Sequence, residues 1–159
     1  MKSTLTLILL ILTNFTLGQS VVFISGLYHR NFDLSPKAQA NLLGKEYNPI
    51  VFKYQDWKSA VPYIKDNTKV ILFSKGCKYA LPLYESINNL NILKNIYIVE
   101  SPSDYGDGIR KLVKLGLPEK NIIVGPDKSR GLGIVKNPTY TPKGLSHWGS
   151  LKYVSTIIK

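Results

Sequence analysis

The sequence predicts an α/β protein: a three-layer αβα sandwich built on a mostly parallel sheet of five or six strands. Two observations carry this. Short apolar runs recur along the chain, each continuously hydrophobic as strands buried on both faces must be. Segments with helix signals separate them, which gives parallel strands the crossovers they need.

The strand runs are Val21 to Ile24, Ile50 to Phe52, Val70 to Phe73, Ile96 to Val99 and Ile122 to Val124, and Leu132 to Val135 offers a sixth. The helices follow from their ends. Ser35 is an N-cap with Pro36 at the first helical position, so the first helix is expected over Pro36 to Glu46. Asp56 precedes a second, Trp57 to Lys65, and a third is expected over Cys77 to Asn89. Pro62 and Pro82 lie inside these two spans, where a proline either kinks the helix or moves its start. A fourth, Gly108 to Leu115, is closed by Gly116. In the last, Trp148 to Ile158, Trp148, Leu151, Val154 and Ile158 form one apolar stripe.

Ahead of these elements, Lys2, the apolar stretch Leu5 to Leu12 and the small residues Thr16 and Gly18 read as a secretory signal peptide over residues 1–18. Residues 19–159 are then one domain, exported to the periplasm or secreted. Cys77 is the sole cysteine, so neither an intrachain disulfide nor a multi-cysteine metal site is expected, and no motif calls for a cofactor. The chain carries 21 Lys and Arg against 10 Asp and Glu, a net charge of +11. Such an excess favours an anionic partner, an envelope polymer or a lipid surface. The lysines are scattered and not interleaved with aromatics, so nucleic acid is not the expected partner.

In an α/β sheet the chemistry gathers at the carboxyl ends of the strands. There the chain places Ser25, Gly26, Leu27, Tyr28, His29 and Arg30 after the first run and Ser74 after the third. Glu100 to Asp104 follow the fourth run, Gly125, Pro126 and Asp127 the fifth, and His147 enters the last helix. Ser74 stands where strand turns to helix. A hydroxyl there projects above the sheet, and Ser74-Lys75-Gly76 keeps the Ser-x-Gly half of the Gly-x-Ser-x-Gly elbow, Leu72 replacing its first glycine.

This succession resembles the α/β-hydrolase superfamily, in particular its small, lidless, cutinase-sized esterases, over roughly Val21 to Lys159. The resemblance implies an exported serine hydrolase that cleaves an ester or related acyl bond of a small-molecule or polymer substrate. Ser74 would be the nucleophile, His147 the general base and Asp127 the orienting acid. The backbone N–H of Lys75, with that of Gly26 or Leu27, would form the oxyanion hole. Lys78 departs from the small residue often found near the elbow. Asp104 and Asp107 are rival acids, His29 is a rival base, and Cys77 lies too far into the helix to be the better nucleophile. Arg30, Arg110 and Arg130 could gather an anionic group. The competing reading is a non-catalytic protein on the same scaffold that binds an anionic partner through its basic surface. A nucleotide binder would need a glycine-rich phosphate loop after the first strand, which Ser25-Gly26-Leu27 does not supply.

Overall fold

A computed structural model describes residues 20–27, 34–125 and 133–158. The segment read as a signal peptide, and with it Asp127, His29, Arg30 and Arg130, lies outside the described residues.

The five expected apolar runs are strands: β1 (Val21–Ile24), β2 (Ile50–Phe52), β3 (Lys69–Phe73), β4 (Ile96–Val99) and β5 (Ile122–Val124). A two-residue strand, β6 (Thr139–Tyr140), completes a six-stranded sheet in the order β2-β1-β3-β4-β5-β6 with every pairing parallel. Val22 aligns with Ile50 on one side and Val70 on the other, Leu72 with Ile98, and Val124 with Tyr140. The expected sixth strand is corrected: residues 133–135 form a turn and a short coil, and the pairing falls to Thr139 and Tyr140.

Four α-helices lie among the described residues: α1 (Pro36–Asn41), α2 (Ala80–Ile87), α3 (Gly106–Leu115) and α4 (Gly149–Ile157). Ser35 caps α1 as expected, its Oγ accepting from the Ala38 N–H at 3.2 Å. The helix stops at Asn41, short of Glu46, because the chain turns through Gly44 at φ +108° before a 3₁₀ turn over Lys45–Tyr47. The segment expected as a helix from Trp57 is a 3₁₀ stretch, Tyr54–Tyr63, broken at Asp56 and containing Pro62. After β3 a 3₁₀ turn, Ser74–Tyr79, precedes α2, so Pro82 falls in the first turn of that helix, where its missing N–H would have had no intrahelical partner.

Alternation along the strands divides the core into two layers. Val22, Ile24, Val70, Leu72, Ile96 and Ile98 pack under α2, α3 and the 3₁₀ segments. Phe23, Ile71, Phe73, Val99 and Ile123 pack under α1 and α4, against Leu43, Leu151, Val154 and Ile158. The split follows from handedness. The chain steps from β1 outward to β2, then back over β1 to β3 and on toward β5. Right-handed crossovers in opposite directions put their helices on opposite faces. The direction reverses between β1 and β3, the point at which sheets of this kind place their ligand sites.

Candidate functional site

The loops leaving β1 and β3 are held by specific contacts and packed against each other. Beyond β1, the Ser25 N–H donates to the Phe52 carbonyl at 2.9 Å. The Gly26 N–H donates to Oε1 of the buried Gln39 at 3.0 Å, and Gln39 Nε2 donates onward to the carbonyls of Leu34 (2.8 Å) and Leu27 (3.4 Å). Gln39 therefore fixes the first loop from within α1. It also occupies the N–H of Gly26, one of the groups expected to face an oxyanion.

Ser74 opens the 3₁₀ turn after β3 at φ +50°, a left-handed conformation that strains any residue with a Cβ. The strain is confined by tight packing on both sides. A side chain at Gly76 would come within 2.7 Å of the Ile24 and Ser25 carbonyls, and one at Gly26 within 3.0 Å of Ser74 Cβ. The Ser-x-Gly half of the elbow is thus the half this turn requires sterically. Leu72, where the pattern's first glycine would stand, is fully buried in the core under α2.

The acid arrives from β4. Glu100 follows that strand directly, its N–H donating to the Ile123 carbonyl at 2.9 Å, and its backbone too is left-handed, at φ +55°. Of the four positive-φ residues other than glycine among the described residues, two are asparagines, which tolerate that region; the others are Ser74 and Glu100. The Glu100 carboxylate has no solvent exposure. Its Oε2 lies 3.1 Å from His147 Nδ1, and its Oε1 accepts from Ser150 Oγ at 2.6 Å. A carboxylate beside Nδ1 selects the tautomer with the proton on Nδ1 and leaves Nε2 as the basic nitrogen. Gly125 makes room for this pair, since a Cβ there would fall on the Glu100 carboxylate.

His147 precedes α4, whose Gly149 N–H is capped by Ser146 Oγ at 3.1 Å. The ring is wedged against Phe73, centroids 4.7 Å apart, and meets Trp148 edge-on at 5.2 Å, with 27% of the side chain exposed. Ser74, Lys75 and His147 line one cleft of about 240 Å³, walled by Leu27, Phe73, Pro102, Tyr105 and Trp148. Ser74 and the imidazole of His147 thus line one cleft, and the buried Glu100 carboxylate stands behind the ring on its Nδ1 side.

The other candidates fall elsewhere. Asp127 is outside the described residues, and the carboxylate on His147 is that of Glu100. Asp104 is exposed, and Asp107 is exposed and paired with Arg110 at 2.5 Å. Cys77 is buried, its Sγ donating to the Leu72 carbonyl at 3.1 Å, and burial pushes the thiol up to about 12, which keeps it protonated and unreactive. Lys78 is exposed and reaches over the Tyr79 ring. Sequence reasoning assigned no role to Glu100, Ser150 or Gln39. A signal for Glu100 was present, a carboxylate at the end of a fully apolar strand and between Ser74 and His147 in chain order; Ser150 and Gln39 carried none. Among the described residues no cluster of His, Cys, Asp and Glu has the makings of a metal site, and no helix is long and apolar enough to cross a membrane. Comparison with family models, curated proteins and solved structures found no match for this chain.

Proposed function

We propose that the chain is an exported serine hydrolase of α/β-hydrolase type that cleaves a small acyl ester. The carrying observation is the buried Glu100 carboxylate 3.1 Å from His147 Nδ1, at the edge of the cleft that Ser74 also lines. Ser74 Oγ attacks the acyl carbon as His147 Nε2 takes its proton; Glu100 holds the ring and stabilises the imidazolium. The carbonyl oxygen becomes an oxyanion against the N–H groups of Lys75 and Leu27. When the tetrahedral intermediate collapses, the ester C–O bond breaks and His147 returns the proton to the departing alkoxide. Water then repeats the sequence on the acyl-serine and releases the acid. The cleft, at about 240 Å³, is below the size of a drug-like site and fits a short acyl chain against Leu27, Phe73 and Trp148.

The order β2-β1-β3-β4-β5 alone also occurs in nucleotide-binding folds. The strained serine and the Glu100–His147 pair favour the hydrolase over that alternative. A second reading, a binding protein on the same scaffold, is favoured by the low exposure of Ser74, 7%. Hydrolysis of p-nitrophenyl acetate separates the two: the enzyme turns it over and Ser74→Ala does not. A wild-type chain with no turnover above the Ser74→Ala background leaves the binding protein.

A further inference from the structure

A recess larger than the cleft at Ser74 lies elsewhere on the molecule. It holds about 790 Å³ between α1 and the edge strand β2, and Lys37, Asn41, Lys45, Asn48, Val51 and Lys53 are among its walls. No carboxylate lines it. The three lysines are exposed, and among the described residues none joins an ion pair or lies over an aromatic ring. In contrast, Lys111 is paired with Glu85, and Lys58, Lys69, Lys75 and Lys78 lie over aromatic rings. The nearest acid in sequence, Glu46, folds its carboxylate back toward Gly44 at the rim without an ion pair. Three like charges around one concavity repel one another until an anion enters.

We propose that this recess binds a soluble small molecule bearing phosphate, with at least two negative charges. Lysine ammoniums meet phosphate oxygens as point charges, and no arginine fork is present to match a planar carboxylate. The amides of Asn41 and Asn48 can donate to further oxygens, and Val51 with the flanking Pro36 and Pro49 gives an apolar wall to the rest of the ligand. The volume lies in the range of small-molecule sites, and a concavity suits a soluble ligand better than a flat membrane. The proposal does not depend on the catalytic reading of Ser74.

The test is calorimetric titration of the full folded chain with tripolyphosphate at about 0.15 M salt, where long-range attraction is screened. Wild type is expected to bind one equivalent saturably. The groove variant Lys37→Gln/Lys45→Gln/Lys53→Gln should bind about 100-fold more weakly, as expected when several charge-assisted hydrogen bonds are lost. The charge-matched variant Lys94→Gln/Lys114→Gln/Lys152→Gln, altered at exposed lysines outside the groove, should stay within about threefold of wild type. Glu46→Gln removes the negative charge at the rim and should tighten binding, a readout that survives if the groove variant folds poorly. Equal losses in the two triple variants, no saturable binding by wild type, or binding to phosphatidylglycerol vesicles without binding to tripolyphosphate would each overturn the proposal.

Discussion

Replacing Glu100 by Gln changes one atom of the site and tests the role assigned to its charge. The carboxylate has two oxygens and two partners, His147 Nδ1 at 3.1 Å and Ser150 Oγ at 2.6 Å. A glutamine of the same shape has one acceptor oxygen and one NH₂. If the NH₂ turns to His147, Nδ1 must accept, the proton moves to Nε2, and the ring can no longer take a proton from Ser74. If the NH₂ turns to Ser150, the tautomer survives but the imidazolium loses its counter-charge. Either way kcat for p-nitrophenyl acetate should fall about 10³- to 10⁴-fold, or about 4–5.5 kcal/mol of barrier. Stability should change little, because an unexposed charge is removed without a change in volume. Progress curves give kcat and thermal unfolding gives stability. An Glu100→Gln enzyme that keeps its kcat within tenfold of wild type would show that the carboxylate does not hold the base, and the mechanism above would fail.

Three further outcomes follow from the same geometry. Gly125→Ala puts a methyl group where the Glu100 carboxylate lies, so it should lower activity toward the Glu100→Gln level and cost about 1–3 kcal/mol; wild-type activity with an unchanged melting curve would argue against that crowding. Ser74→Gly relieves the left-handed strain at φ +50° while Ser74→Ala keeps it, so the glycine variant should be about 1 kcal/mol more stable and melt about 2–4 °C higher; equal melting points would mean that the turn stores no strain. Cys77, pushed up to about 12 by burial, keeps its proton in the folded protein where the unfolded chain loses it. Stability should therefore fall more steeply for wild type than for Cys77→Ala from about pH 9 toward 12, by up to about 1.4 kcal/mol per pH unit, and parallel curves would contradict the shift.

The sequence carried the five principal strands because each is a continuous apolar run, a pattern visible in single residues, even though Ile50 of the edge strand β2 is exposed. It did not carry β6, since Thr139 and Tyr140 make no apolar run, Tyr140 is exposed, and β-pairing there is decided by backbone hydrogen bonds. Helix extents were less legible. Gly44 ended α1 early through its backbone conformation, and the proline at 82 marked a helix that begins after a 3₁₀ turn and not at Cys77. Ser74 and His147, which line one cleft, were legible as candidates from their positions after β3 and before the last helix. That the carboxylate beside His147 is Glu100 was not legible, because Glu100 and Asp127 both follow apolar runs and both lie between Ser74 and His147 in chain order. What marks Glu100 is the space left by Gly125 and the hydroxyl of Ser150, both distant in sequence and close only after folding. Gln39 shows the same limit: a polar residue on the buried side of α1 has no local signal that it ties the loop after β1.

The central claim is that Ser74 is a nucleophile activated by His147, and a fluorophosphonate reads this directly because it phosphonylates an activated serine far faster than an ordinary hydroxyl. Intact-mass and peptide mass spectrometry should find a single adduct on Ser74 in wild type and none in His147→Ala. An unlabelled wild-type protein, or an adduct that persists in His147→Ala, would contradict the claim.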